Sequence, residues 1–90
     1  MQLHIAIAED LPRLAAMLQD KVESDPAFRV VHIAPDGKAI CDWIAAAGNK
    51  PDLILMDINM PEMNGIEATQ VIKDQFPQVK IVMATVFDDE

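Results

Sequence analysis

Residues 53–65 read LILMDINMPEMNG: four apolar side chains, an aspartate, and a loop that closes on Gly65. A continuous apolar run of this kind is typical of a strand that is covered on both faces of a parallel sheet. We therefore predict a strand at Leu53–Met56 that stops at Asp57. A carboxylate directly after a buried strand costs desolvation energy unless a metal ion or hydrogen bonds compensate, so Asp57 is the first candidate for a functional residue.

The segments on either side of this stretch alternate between strand-like and helix-like patterns. Apolar, β-rich runs predict further strands at Leu3–Ala8, Phe28–Ala34 and 79–87. Between the strands, apolar residues recur at helical spacing, and the predicted inward-facing positions are 11, 14, 15, 18 and 22, then 39, 40, 43, 44 and 47, then 66, 69, 72 and 76. Asp10 is expected to cap the first helix, and Pro12 in its first turn loses no hydrogen bond. The order βαβαβαβ predicts one α/β domain with a parallel sheet between two layers of helices.

The composition excludes several classes of protein. The chain has 90 residues, 51% of them hydrophobic and 24% charged, which suits one modest core. Seven Lys and Arg against fifteen Asp and Glu give a net charge of −8, which disfavours contact with nucleic acid or an anionic membrane. Cys41 is the only cysteine, so no internal disulfide forms and a reducing cytoplasm is the expected location. No apolar run approaches the ~20 residues of a membrane span.

The predicted sheet brings polar residues from distant parts of the sequence to one edge. The carboxyl ends of parallel strands lie along the same edge, so Glu9, Asp10, Asp57 and Thr85 are expected to converge. Neighbouring carboxylates repel one another, and Mg²⁺ relieves that repulsion while leaving room for water and phosphate oxygens. Such a cluster favours phosphoryl chemistry. Taken singly, the same residues have simpler explanations: Asp10 as a helix cap, Glu9 as a solvated loop acid and Thr85 as an ordinary strand residue.

Together these residues carry a family resemblance. Glu9-Asp10 after the first strand, Asp57 after the third, and the loop MDINMPEMNG, with Pro61 and Gly65 four and eight residues beyond the acid, resemble a response-regulator receiver domain. The resemblance implies a CheY-like, flavodoxin-like fold of three layers. That family has five strands and five helices, so residues 1–90 are expected to form the N-terminal portion of the domain, without the fifth strand and the last two helices. The ending IVMATVFDDE is also similar to LuxR/NarL-type regulators, in which a helix-turn-helix domain that binds DNA is joined to the receiver domain.

The resemblance implies a role for each residue of the site. Asp57 is implied to be the phosphoacceptor, which takes a phosphoryl group from a phosphohistidine. Glu9, Asp10, Asp57 and the backbone carbonyl of Asn59 are implied to be the ligands of Mg²⁺. Thr85 is implied to be the switch hydroxyl, and the side chain of Asn59 is expected to tune hydrolysis of the phosphoryl group by positioning water.

The implied partner is a sensor histidine kinase or a histidine phosphotransfer protein. The chain is then a signalling module and not an enzyme, limited to self-phosphorylation from small donors and slow autodephosphorylation. One family residue is missing from the pattern: the lysine at the end of the fifth strand has no counterpart, because neither Lys73 nor Lys80 matches it by motif. Direct contact with nucleic acid or a membrane is not expected.

Other functions stay open beside this one. A phosphohydrolase that uses Asp57 as nucleophile would usually carry an acid two residues further on, where this chain has Asn59. A scaffold fragment that keeps the receiver shape without switching would expose the edge of its fourth strand, which predicts a homo-oligomer formed through that edge. A nucleotide-binding module is disfavoured, because the glycines at positions 37, 48 and 65 form no phosphate-binding loop.

Overall fold

Four strands form one parallel sheet in the computed structural model, which describes residues 2–84. They are β1 (Leu3–Ala8), β2 (Phe28–Ala34), β3 (Leu53–Met56) and β4 (Lys80–Met83), in the spatial order β2-β1-β3-β4. Three helices alternate with them: α1 (Pro12–Glu23), α2 (Gly37–Ala46) and α3 (Gly65–Gln75). The predicted α/β class, element order and parallel sheet are confirmed. Thr85 and the rest of the predicted 79–87 strand beyond Ala84 lie outside the described residues.

The main core lies between the sheet and helices α2 and α3. Small and branched side chains of β1 and β3 meet buried residues of the two helices, and the fully buried members include Ala6, Ile40, Ile44, Ile54, Met56, Ala68 and Ile72. Burying each large aliphatic side chain contributes about 1.5–3 kcal/mol. This layer therefore anchors α2 and α3 firmly against the strands whose ends carry the candidate site.

The opposite face of the sheet is covered less completely. Helix α1 packs there through the buried Ala15, but Leu53 and Leu55 of β3 are only half-buried. A groove of about 220 Å³ remains between the sheet and the end of α1, lined by residues that include Ile5, Val22 and Phe28. Strand β3 was expected to be covered on both faces. Within residues 2–84, the structure covers only one of its faces fully.

Two helix details differ from the sequence prediction. The N-cap residue of α1 is Leu11, which makes no side-chain capping bond, so Asp10 is not the cap. Helix α1 begins one residue too late for the Asp10 side chain to reach the free amides of its first turn. The Leu11 N–H donates instead to the carboxylate of Glu9, at 3.1 Å. Leu11 and Ile66 were also predicted to face inward, yet they are 52% and 53% exposed.

Strand β2 contains an irregularity that changes which helix its residues face. Its pairing with β1 shifts by one residue, so that Ile5 pairs with Val30 but Ala6 pairs with His32. The bulge turns His32 towards α2, where its ring stacks on Trp43 with centroids 4.4 Å apart and planes 2° from parallel. The backbone N–H of Val30 donates to the carboxylate of Glu23 at 2.9 Å.

None of the helices within residues 2–84 is both long and apolar enough to cross a membrane.

Candidate metal centre

Glu9 and Asp57 follow directly after β1 and β3, two neighbouring strands of the sheet. Backbone bonds continue the sheet past both strand ends: the Asp57 N–H donates to Ala8 O at 3.0 Å, and the Glu9 N–H donates to Ala34 O at 2.9 Å. These bonds hold both acids at one edge of the sheet. One carboxylate oxygen each of Glu9, Asp10 and Asp57 lies within 4.8 Å of the others.

Glu9 is the most constrained member of this acidic cluster. Its side chain is 3% exposed; Oε2 accepts the Leu11 N–H, while the buried Oε1 finds no hydrogen-bond partner among residues 2–84. Burial raises the pKa of Glu9 above its usual 4.5, the Leu11 bond opposes this rise, and the charges of Asp57 and Asp10 add to it. An unpaired buried carboxylate oxygen is costly, and a positive partner such as a metal ion would relieve that cost.

The loop after Asp57 is closed by backbone contacts. The N–H of Gly65 donates to Ile58 O at 2.8 Å, and Met63 N–H donates to Pro61 O at 2.7 Å. A Cβ on Gly65 would collide with the carbonyl oxygen of Asp57 and lie 2.9 Å from its carbonyl carbon, so only glycine fits. Glu62 has a φ of 67°, a left-handed conformation that non-glycine residues seldom adopt. The loop is therefore held in one specific shape.

Helix α3 begins with a capping box that anchors the end of this loop. The Asn64 side chain accepts the Glu67 N–H at 2.9 Å, and the Glu67 side chain accepts the Asn64 N–H at 3.1 Å. Such reciprocal bonds satisfy two amides that a helix start leaves free. Asn59 lies within the loop and its side chain is exposed.

The structure brings together three of the predicted site residues, Glu9, Asp10 and Asp57. Thr85 lies outside the described residues. Lys73 donates to Pro77 O and Val79 O, both at 3.2 Å, in the turn before β4. Lys80 starts β4 and pairs with Leu53 at the opposite edge of the sheet. Lys80 therefore lies away from the acids.

The donor set matches the preferences of Mg²⁺. That ion takes oxygen ligands and keeps several water molecules, and the cluster offers carboxylate oxygens that include the unpartnered Oε1 of Glu9.

The sequence by itself predicts the three acids but not two other features of the site. The first is the buried, unpaired oxygen of Glu9, which depends on packing. The second is a contact between residues distant in sequence: the N–H of Gly37, the first residue of α2, donates to Met63 O in the loop at 3.0 Å. A glycine at the start of a helix was the one signal for the second feature.

Fold and site together define a class. In a sheet ordered β2-β1-β3-β4, the chain reverses its direction of strand addition between β1 and β3, and doubly wound α/β domains bind their ligands at the carboxyl ends of such strands. This chain is such a domain, with an acidic cluster at that position. More particularly, it belongs to the response regulator receiver domain family, whose family profile matches residues 5–90.

Individual relatives agree with this assignment. The transcriptional regulatory protein DegU of Brevibacillus brevis is 37% identical over 87 residues, which cover 97% of this chain and 33% of DegU. A protein-glutamate methylesterase/protein-glutamine glutaminase of Nitrosospira multiformis is 35% identical over 82 residues, 91% of this chain and 22% of that protein. The chain thus spans a third or less of the length of these two curated relatives.

The fold is also that of solved receiver domains. The crystal structure of the response regulator domain of Thermotoga maritima CheB superposes with a TM-score of 0.85 at 31% identity, covering 94% of this chain and 61% of that one. The predicted flavodoxin-like receiver fold is therefore confirmed, and the chain is a receiver domain of a two-component response regulator.

Proposed function

We propose that this chain accepts a phosphoryl group on Asp57 from the phosphohistidine of a sensor histidine kinase or a histidine phosphotransfer protein. The observation that carries the proposal is the cluster of Glu9, Asp10 and Asp57, with oxygens within 4.8 Å of one another at the carboxyl edge of a receiver sheet. Membership of the receiver family supports it.

In the proposed reaction, a carboxylate oxygen of Asp57 attacks the phosphorus while the bond from phosphorus to the imidazole nitrogen breaks. The products are an acyl phosphate on Asp57 and a free histidine on the partner. Glu9, Asp10, Asp57 and the backbone carbonyl of Asn59 would hold Mg²⁺. When bound, that ion supplies positive charge that neutralises the phosphoryl oxygens and the acidic cluster.

The other residues of the site act on the phosphoryl group after transfer. The Asn59 side chain is proposed to position the water that hydrolyses the acyl phosphate, which its exposure in the loop supports. Thr85 is proposed as the switch hydroxyl that reports phosphorylation. A phosphohydrolase that uses Asp57 as nucleophile is less well supported, because Asn59 stands where such an enzyme would usually carry its acid.

The experiment is the intact mass of the chain after incubation with Mg²⁺ and a small acyl-phosphate donor. The unchanged chain should gain one phosphoryl group, and Asp57→Asn should not. Asp52→Asn is the matched control, because Asp52 lies just before β3 at the opposite edge and its carboxylate accepts the His4 N–H at 2.7 Å. The proposal fails if Asp57→Asn still gains the mass or if the unchanged chain does not.

The proposal extends to the longer protein. Residues 1–90 are proposed to be the N-terminal portion of a receiver domain, which the 61% coverage of the CheB domain supports. Control of transcription is the proposed output, because DegU is named as a transcriptional regulatory protein. A cytoplasmic location is proposed from the single cysteine.

A second candidate is self-association through β4. This strand pairs with β3 on one side, and within residues 2–84 no strand pairs with its other side. Its side chains Val82 and Met83 are 45% and 38% exposed. An unpaired strand with exposed apolar side chains favours pairing with a second copy of the chain.

A further inference from the structure

The first residue of α2 contacts the loop that follows Asp57. The N–H of Gly37 donates to the carbonyl oxygen of Met63 at 3.0 Å. A Cβ on Gly37 would collide with that oxygen and lie 2.8 Å from the Met63 carbonyl carbon. The φ of Gly37 is not in the left-handed region, so close approach and not backbone conformation requires glycine here. Helix α2 and the loop thus meet backbone to backbone.

A second contact joins the same helix and loop one turn further on. The Sγ of Cys41 lies 3.8 Å from the Sδ of Met63, whose side chain packs against the main core. The loop is therefore held at two places: the Gly65 bond to Ile58 O at 2.8 Å closes its ends, and α2 holds Met63. Asn59 lies between the closed ends of this loop.

Of the two contacting segments, the loop is the one that would yield to an added side chain. Helix α2 is anchored by Ile40 and Ile44, both fully buried, and by its N-cap Asp36, which accepts the Ala39 N–H at 2.8 Å. A Cβ at position 37 would therefore push Met63 away. Mg²⁺ demands near-ideal octahedral geometry, so a small displacement of one ligand weakens its binding.

We propose that Gly37 is a positioning residue for the metal centre: its backbone contact with Met63 fixes the loop that presents the Asn59 carbonyl to the divalent cation. The proposal rests on the function proposed above. Gly37 touches neither the metal nor the phosphoryl group, and it acts through the loop alone. In the unchanged chain the loop is already shaped for the ion, which avoids the cost of ordering it at binding.

The test compares Gly37→Ala with Gly48→Ala, whose added Cβ would meet nothing within 4 Å. Mg²⁺ affinity is measured by calorimetry and folding by circular dichroism. Gly37→Ala should raise the Kd for Mg²⁺ about 10-fold or more, as loss of a supporting contact does at metal sites. Raising the Mg²⁺ concentration should restore its phosphorylation by an acyl-phosphate donor. Gly48→Ala should match the unchanged chain. Equal Kd values for Gly37→Ala and the unchanged chain would overturn the proposal.

A further control separates positioning from lost stability. Ile44→Val shortens a fully buried side chain of α2 two turns beyond Gly37, so it weakens the core without adding an atom near the loop. Its Kd for Mg²⁺ should equal that of the unchanged chain. If Ile44→Val raises the Kd as much as Gly37→Ala does, the effect is one of stability and the positioning role is refuted.

A measurement on the unchanged chain covers the case in which Gly37→Ala does not fold. Coupling between two sites is reciprocal, so Mg²⁺ should strengthen the Gly37 bond to Met63. Hydrogen exchange of the Gly37 amide should then slow more on adding Mg²⁺ than exchange of the Ala47 amide, which donates to Trp43 O at the other end of α2. Equal slowing would refute the inference while leaving the proposed function intact. No Mg²⁺ binding at all by the unchanged chain would overturn both.

Discussion

Replacing Glu9 by glutamine should stabilise the metal-free chain and weaken its response to Mg²⁺. The substitution keeps the shape of the side chain and the acceptor for the Leu11 N–H, but it removes a buried charge. At 4.8 Å, the repulsion of two unit charges is about 3.5 kcal/mol for an effective dielectric of about 20. Glu9 repels both Asp10 and Asp57, although the partial exposure of those two residues screens the repulsion. We expect a net stabilisation of about 1–3 kcal/mol at neutral pH.

The pH dependence gives this prediction a definite sign. The pKa of Glu9 is raised in the folded chain, so the folded state binds more protons than the unfolded state above pH 4.5. Stability of the unchanged chain is therefore lost as the pH rises from 4.5 through the raised pKa. Glu9→Gln does not titrate, so its advantage should be small near pH 4.5 and grow towards neutral pH.

The assay is urea or thermal denaturation in EDTA and again in Mg²⁺. For a domain of this size, each kcal/mol shifts Tm by about 4–8 °C. Mg²⁺ at 100 times its Kd should stabilise the unchanged chain by about 2.7 kcal/mol, and Glu9→Gln by clearly less. The reasoning is refuted if Glu9→Gln is destabilising in EDTA at pH 7, or if Mg²⁺ stabilises both chains equally.

Two further predictions concern β2 and β4. Burial lowers the pKa of His32 below 6.5, so its contribution to stability should decline as the pH falls from 6.5 through the lowered pKa. Urea denaturation, monitored by the fluorescence of Trp43, measures the stability of the unchanged chain and of His32→Gln at each pH. The difference between the two stabilities should decline as the pH falls, and a difference that is constant with pH would contradict the prediction. The exposed β4 strand predicts concentration-dependent self-association in light scattering, which Val82→Lys should abolish. A compact monomer of the unchanged chain at high concentration would rule this out.

Much of the fold follows from local patterns. The strand and helix periods differ, so the βαβαβαβ order can be predicted from the spacing of apolar residues alone. The position of each acid relative to its strand is equally local: Glu9 follows β1 and Asp57 follows β3. Parallel pairing then places them at one edge, because all strands of such a sheet end on the same side.

The spacing of apolar residues is less decisive about which side of a helix faces inward. Leu11 and Ile66 have the spacing of core residues, yet Leu11 is the N-cap of α1, Ile66 is the second residue of α3, and more than half of each is exposed. Small residues are buried on these helices. Ala15 was predicted to face inward and Ala68 was not, and alanine at both positions permits the helices to approach the sheet closely.

By itself, the sequence determined the class of fold, the order of its elements and the acids that follow β1 and β3, because each depends on residues close together in the chain. Only the tertiary structure decided that Glu9 is buried with an unpaired oxygen, that the bulge in β2 turns His32 onto Trp43, and that Gly37 touches the loop after Asp57. Each of these features arises where separate segments approach to within van der Waals distance. No local spacing of residue types encodes that approach, since it is set by how the helices pack on the sheet.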